Sequence, residues 1–380
     1  VLVLDGEQRS ALAVTRSLVR AGYLVTVAAH REWSLAGVVR GAQRHRVQAD
    51  PLQDARRYTG EIGALANACK AVMVIPVTDA SAGAILAHRG LLPADCALPF
   101  ASEAIYDAAS DKVVVHRHAE RLGIGIAESV VLQGPGAPLP ADAPVFPGVI
   151  KPHRSVVGGD AKQRTSVQFV DDREDCSRKL AALDPAAFPV LIQRRIHGAG
   201  EGIFVARWQG RTIARFAHRR LREKPPAGGV SVYRESIAAE PALLTACDSL
   251  LDALQWSGVA MIEGKRDAAT GRWYVMEING RFWGSLQLAI DAGVDFPALL
   301  SSAVLDGALS EPPAWRAGVR LRWEWGDVDH LLLRMLRSKE RLSLPPDSPG
   351  RIATLLQWCS VVPGRDKLEV LRLRDPRPFL

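Results

Sequence analysis

A chain of 380 residues, 48% hydrophobic and 23% charged, has the composition of an ordinary soluble globular protein with room for two or three domains and a large core. The 48 basic and 41 acidic residues leave a net charge of +7 spread along the chain, which suits anionic substrates and does not demand nucleic acid; no RNP, zinc-finger or helix-turn-helix signature occurs. Five cysteines, an odd number with no C-x-x-C, argue against a disulfide framework, and no apolar run of about 18 residues and no signal peptide is seen.

Residues 1–98 read as an α/β domain. Val1–Asp5 is a short buried strand and Arg9–Ala21 an amphipathic helix ending at Gly22. Leu24–Ala29 and Ala71–Val77 are further strands, the last followed by Thr78-Asp79 and a helix. Strands alternating with helices predict a parallel sheet. The turn after the first strand, Asp5–Ser10, lacks G-x-G-x-x-G, which argues against a nicotinamide dinucleotide site.

Ser110-Asp111-Lys112 opens a helical stretch that stops at Gly123. Gln133–Gly148 is a Pro/Gly-rich connector. It leads to Val149-Ile150-Lys151-Pro152, a buried strand ending in a lysine, which calls for an anion. The loop after it carries Ser155, Gly158 and Gly159, whose glycines would let the backbone approach phosphates. A surface hairpin tip has the same composition. Ala238–Trp256 reads as a helix whose leucines belong to the core.

Gly258–Asp267 and Tyr274–Arg281 read as two strands joined by a hairpin turn containing Gly271. Glu277 and Asn279, two apart, share a strand face, and antiparallel pairing would bring Glu263 to them. Two carboxylates and an amide oxygen form a hard donor set suited to Mg²⁺ with positions left open for phosphate. Arg281 would add a guanidinium on the same face, where it could meet charge on a transferring phosphoryl group. Taken alone, Glu277-Ile278-Asn279 also fits a solvated edge strand. The apolar flanks Val275, Met276 and Ile278, and the apolar run before Glu263, favour an inner strand.

Asp111-Lys112, Ile150-Lys151-Pro152, Glu263 and Glu277–Arg281, in that order behind an α/β domain, resemble the ATP-grasp superfamily of carboxylate–amine ligases from the first strand to about Gly307. The resemblance implies that Lys112 and Lys151 contact ATP phosphates and that Glu263, Glu277 and Asn279 hold Mg²⁺ (or Mn²⁺). It also implies that a hinge strand, here Val190–Ile196, binds adenine through backbone groups. Family members often have a glutamate in that stretch. This chain has Gln193-Arg194-Arg195, which leaves the backbone contacts near Gln193, Arg194 and Ile196 and puts the side-chain contact in doubt. Glu201 lies where the family often has a ribose-binding carboxylate; a solvated loop glutamate is the other reading. Arg219-Arg220 followed by Lys224–Ser231 (KPPAGGVS) is similar to a basic pair and Pro-Pro-x-Gly-Gly-x-Ser of predicted ATP-dependent carboligases. There Gly228, Gly229 and Ser231 would face a carboxylate or acyl phosphate, and Arg219 or Arg220 would clamp it. A solvated basic loop remains open as the alternative.

The expected architecture is therefore α/β and α+β. A parallel-sheet pre-ATP-grasp domain (1–98) precedes a two-lobed ATP-grasp domain (99–310, small lobe about 113–192) and a tryptophan-containing C-terminal subdomain (311–380). The expected activity is ATP- and Mg²⁺-dependent joining of a small carboxylate to an amine through an acyl phosphate, with Arg281, Arg220 and Arg219 at the reacting groups. A biotin-type carboxylase shares the fold, but no biotinyl-lysine segment is present. A non-catalytic nucleotide-binding regulatory protein is the third reading, and the joint presence of Glu263, Glu277, Asn279 and Arg281 argues against it. The expected setting is cytoplasmic, without nucleic acid or membrane partners. A homodimer and a membrane-surface helix near Val328–Leu336 stay open. The chain opens on Val1 within a strand, so a few native residues are expected to precede it.

Overall fold

The computed structural model describes every residue except 142, 144–145, 155, 158–162, 165–166, 345–347, 361, 363–364 and 380. The chain starts with β1 (Leu2–Val3), α1 (Arg9–Arg20), β2 (Val25–Ala29), β3 (Ala42–Arg46), α2 (Ala55–Ala68), β4 (Val74–Ile75) and α3 (Asp79–Ala87). Its strands form a parallel sheet in the order β3-β2-β1-β4. The apolar face of α1, with Leu12, Val14 and Leu18, is buried. Beyond Ile75, the Asp5 carboxylate accepts the Val77 and Thr78 amides (3.0 and 3.1 Å), and the Thr78 side chain caps α3. The strand expected over Ala71–Val77 is thus cut short by a cap.

Next come α4 (Glu103–Ser110), α5 (Lys112–Arg121), β5 (Ser129–Leu132), β6 (Gly148–Pro152), β7 (Val156–Val157), β8 (Gln163–Arg164), β9 (Gln168–Val170), α6 (Arg173–Ala181) and β10 (Val190–Arg194). A four-stranded sheet, β5-β10-β6-β9, packs Ile150, Val190 and Ile192 against α6 residues such as Cys176. β10, the expected hinge strand, pairs with β6 so that Leu191 lies opposite Lys151 and Gln193 opposite Val149.

The chain then crosses into β11 (Gly198–Trp208), β12 (Arg211–Lys224) and β13 (Val230–Ser236). Gly198, at φ +150°, makes the crossing; a Cβ there would lie 1.9 Å from the Arg266 carbonyl. After α7 (Pro241–Ala253) come β14 (Gly258–Asp267), β15 (Trp273–Asn279), α8 (Leu286–Ala292), α9 (Phe296–Leu305), β16 (Arg320–Arg322), α10 (Glu324–Leu336), α11 (Arg351–Cys359) and β17 (Asp366–Leu368). The seven-stranded sheet runs β15-β14-β11-β12-β13-β16-β17. One face, with Ile203, Val205 and Ile262, packs against α7. The other, with Phe204, Phe216 and Met261, packs against Trp283, α8, α9 and residues of the first domain.

Residues 311–380 thus complete this sheet through β16 and β17. Among the described residues no single helix is long and apolar enough to cross a membrane; α8 and α9 pass together only as a pair bent by 89°, and their apolar residues are largely buried in the core.

Candidate active site

A cleft of about 590 Å³ opens between the four-stranded sheet and the inner face of the seven-stranded one, a size typical of small-molecule sites. Its centre is the β14–β15 pair. The register sets Glu263 directly opposite Glu277 and Met261 opposite Asn279. Directly opposed residues have Cβ atoms about 5 Å apart, so the two carboxylates share one face.

Each carboxylate has its own cation. Lys112 Nζ lies 3.1 Å from Glu277 Oε2, and Arg220 lies 2.6 Å from Glu263 Oε2. Burial alone would raise the Glu277 carboxyl, but Lys112, the Asn279 amide and Lys151 hold it below the usual carboxylate range. Asn279 Nδ2 donates to Glu277 Oε1 (3.1 Å), and Arg281 Nη2 donates to Asn279 Oδ1 (3.0 Å). Glu277 is therefore ionised, and both carboxylates hold their cations in place.

Local structure explains each placement. Asp111 caps α5, accepting the Val113 amide at 2.9 Å, which sets Lys112 on the first helical residue facing β15. The Lys112 amide donates to the His153 carbonyl (2.9 Å) and His153 Nδ1 lies 2.9 Å from Asp111, tying α5 to the end of β6. Lys151, on β6, donates to Gln193 Oε1 (2.8 Å) and to Met276 Sδ (3.4 Å). Burial pushes its ammonium down to about 8. Arg281 donates from Nε to Asp79 at the start of α3 (2.9 Å), so α3 braces the end of β15.

The cleft wall brings together Lys112, Lys151, Gln193, Arg194, Ile196, Arg220, Gly228, Gly229, Ser231, Glu263, Glu277, Asn279 and Arg281. Ser155, Gly158 and Gly159 lie outside the described residues. Two expected residues are elsewhere. Glu201 is on strand β11, on the α7 face with Ile203 and Val205, and accepts from Arg266 at 3.0 Å. It is neither a loop residue nor part of the cleft wall. Arg219 alternates with Arg220 on β12 and therefore points to the opposite side of the sheet, where it donates to Glu235 at 2.6 Å. The basic pair is a strand, so only one member can reach the cleft.

Sequence reasoning missed Asp79, Glu223 and His218, and took Gln193 only for a hinge residue. Glu223 accepts from Arg220 at 2.9 Å, and Gln193 holds Lys151. Asp79 was findable: it follows the carboxyl end of a parallel strand, where α/β folds collect functional groups. His218 and Gln193 carry no sequence signal of their own.

Residues 188–326 match a family profile described as "ATP-grasp in the biosynthetic pathway with Ter operon". The whole-chain fold agrees. The chain has the ATP-grasp fold. It superposes on the L-amino acid ligase of Bacillus licheniformis with a TM-score of 0.62 at 15% identity, covering 84% of this chain and 78% of that one. For the N5-carboxyaminoimidazole synthetase of Staphylococcus aureus, complexed with ADP, the TM-score is 0.61 at 13% identity, over 83% and 79%. For the biotin carboxylase of Campylobacter jejuni, in a β-γ-ATP complex, it is 0.63 at 13% identity, over 84% and 74%. At such identities the likeness is one of fold. No match was found among curated protein sequences.

Proposed function

We propose that this ATP-grasp protein is an ATP-dependent ligase that activates a carboxylate as its acyl phosphate and joins it to an amine. The observation that carries this reading is the pair Glu263 and Glu277, opposed on neighbouring strands with Asn279, and faced across the cleft by Lys112 and Lys151.

The donor set fits a small hard cation. Two carboxylates and an amide oxygen are oxygen donors, and among the described residues no cluster of three His, Cys, Asp or Glu makes a complete protein cage. Mg²⁺ is commonly held in this way, by one or two carboxylates plus substrate phosphates. Glu263, Glu277 and Asn279 would hold Mg²⁺ or Mn²⁺, which when bound supplies charge neutralisation at the phosphates.

Lys112 and Lys151 present ammonium groups to the phosphates of ATP, where charge-assisted hydrogen bonds are strong. Arg220 and Arg281, each pinned by carboxylates, offer guanidinium groups beside the transferring phosphoryl without reorganising at the moment of reaction. A carboxylate oxygen of the acid forms a bond to the γ-phosphorus as the bond from that phosphorus to the bridging oxygen of ADP breaks. The amine nitrogen then attacks the acyl carbon, the carbon–oxygen bond to phosphate breaks, and the amine gives up its proton. The products are an amide, ADP and phosphate. Positioning and charge account for most of such catalysis.

A screen of amino acids and small carboxylates, offered in pairs with ATP and Mg²⁺ and read by phosphate release, tests the reading. Glu277→Ala should abolish the Mg²⁺-dependent release while circular dichroism and unfolding midpoint stay near wild type. Full release by that variant at ordinary Mg²⁺ removes Glu277 from the metal site.

A further inference from the structure

Beyond the phosphate and metal groups, the cleft continues to an end that the ligase reading leaves unused. Arg9 from α1, His218 from β12, Ser231 from β13 and Trp283 from the connection between β15 and α8 line it. Arg9 is the first residue of α1, and its guanidinium lies 3.9 Å over the Trp323 ring. A Cβ on Gly284 would come within 2.9 Å of Arg9 Nη2, so the glycine makes room for that side chain. Arg9 Nη1 donates to Glu369 (2.7 Å), Glu369 pairs with Arg234, and Arg234 Nη1 donates to the Ser231 carbonyl (3.1 Å). His218 stacks edge-on against Phe204, which lies 4.2 Å from Trp283. The four lining groups are thus tied into one cluster.

The cluster holds an unusual concentration of unpaired polar atoms. Among the described residues, Ser231 Oγ, Trp283 Nε1, both ring nitrogens of His218 and, just beneath, Arg234 Nε and Glu369 Oε1 have no hydrogen-bond partner. Their side chains are nearly closed off: Ser231 is 8% exposed, His218 and Trp283 1%, Arg234 0%. Buried polar groups in native proteins are almost always paired, and a cluster of unpaired ones calls for an explanation, a bound polar group being the one that fits a cleft wall. These atoms are mainly donors. Burial, with Arg220 and Arg234 alongside, keeps His218 well below its usual value and therefore neutral at pH 7. The carboxylates of the cleft wall, Glu223, Glu263 and Glu277, are already paired with Arg220 and Lys112. Eight cationic side chains line the described cleft against three acidic ones. Asp79 and Glu369, beside the cleft, answer Arg281 and Arg9, but Glu369 is shared between Arg9 and Arg234, so that cluster keeps one net positive charge.

We infer that the end of the cleft walled by Arg9, His218, Ser231 and Trp283 binds a second carboxylate of the acid substrate, so that the acid is a dicarboxylate whose other carboxylate is the one activated. This rests on the ligase reading for the identity of the reacting group. The subsite itself rests on the cluster. Arg9 supplies the charge, Ser231 and Trp283 supply neutral donors, and the aromatic wall excludes water, which strengthens all three.

The test uses acids matched in carbon number: succinate with butyrate, glutarate with valerate, adipate with hexanoate. Acyl phosphate formation is read with ATP, Mg²⁺ and hydroxylamine as the trapping amine, by the hydroxamate formed. Binding of the same acids to the MgADP-loaded protein is read by calorimetry. At least one dicarboxylate should bind tenfold or more tightly than its monocarboxylate counterpart and give hydroxamate at lower KM. Arg9→Met and Ser231→Ala should each erase most of that preference while ADP affinity stays unchanged; a purely structural role would weaken both acids alike. Equal binding of every pair, or a preference that survives both substitutions, overturns the subsite. Selective dicarboxylate binding with no hydroxamate from any acid leaves the subsite standing and defeats the ligase reading instead.

Discussion

At the residue scale, the two lysines do different work. Lys112 is spent on Glu277, whereas the hydrogen bonds of Lys151 go to the neutral acceptors Gln193 and Met276. Lys151 is therefore the cation readier to take a phosphate. Lys151→Met should weaken ATP binding by about 1.5–3 kcal/mol, the value of a hydrogen bond to a charged group, which calorimetry reads as about tenfold or more. Burial lowers Lys151 to about 8, Glu277 pulling it back and Lys112 adding to the fall. Below that pH the side chain is charged in the free protein; above it, nucleotide binding must take up a proton. Affinity should therefore fall with pH above about 8, by up to about tenfold per unit, and Lys151→Met should flatten that limb. A limb that is equally steep in the variant assigns the titration to another group. Arg281 makes a two-sided contact, with Asp79 and Asn279. Lysine cannot reproduce that planar fork. Arg281→Lys should keep ATP affinity within about twofold and lower kcat by at least tenfold, about 1.4 kcal/mol of barrier; unchanged kcat would exclude Arg281 from the reaction.

At the scale of elements, legibility followed charge. The strands carrying Lys151, Glu263 and Glu277 announce themselves as apolar runs broken by polar residues, although β15, expected as an inner strand from its apolar flanks, is the edge strand of its sheet. β11 to β13 do not. β12 reads RTIARFAHRRLREK, which looks like a solvated loop because its cations project from both faces. Each of those faces supplies counter-charges from distant sequence: Asp248 for Arg215, Glu235 for Arg219, Glu263 for Arg220, Asp327 for Arg222. No local pattern reveals partners tens of residues away, so Glu201 and Arg219 were assigned to the cleft from position in the chain, when strand alternation sends both to the other face. Glu235 shows what such pairing is worth. It is 2% exposed and accepts from Arg219 (2.6 Å), Arg320 (2.9 Å) and Arg365. Burial would raise its carboxyl, but the three guanidinium groups bring it down to about 2. A folded-state value below the unfolded one, about 4.3, stabilises the fold above that unfolded value. The contribution is lost as pH falls from there toward 2. Glu235→Gln should cost about 1.5–3 kcal/mol at pH 7, seen as a lower urea midpoint, and the gap from wild type should narrow below about pH 4.3 and close only toward pH 2. A gap independent of pH would mean that packing rather than charge sets the loss.

At the scale of the molecule, three regions far apart in sequence meet at one carboxylate. Glu369, just after β17, accepts from Arg9 of the first domain and pairs with Arg234 of β13. Its carboxyl is held below the usual range, since Arg234 and Arg9 outweigh the burial that would raise it. Around it the C-terminal stretch is laced to α1: Arg16 donates to Asp375 (2.9 Å) and to the Val370 carbonyl (2.9 Å). The final residues therefore close the seven-stranded sheet, dock the first domain onto it and set the side chain that faces the far end of the cleft. Removing one partner of a buried ion pair costs about 3–5 kcal/mol, because the other charge stays buried and uncompensated. Glu369→Ala should lose about that much stability in urea unfolding, with Arg234 as the stranded charge. Replacing both members, Glu369→Leu with Arg234→Met, should recover part of the loss, since well-packed apolar residues can stand in for a buried pair. The double variant frees Arg9 from Glu369 without leaving a buried charge behind. Its discrimination between the preferred dicarboxylate and the matched monocarboxylate should therefore fall even where its stability is restored. Recovered stability with undiminished discrimination would show that Arg9 is held in place by its stacking on Trp323 and needs no carboxylate to aim it.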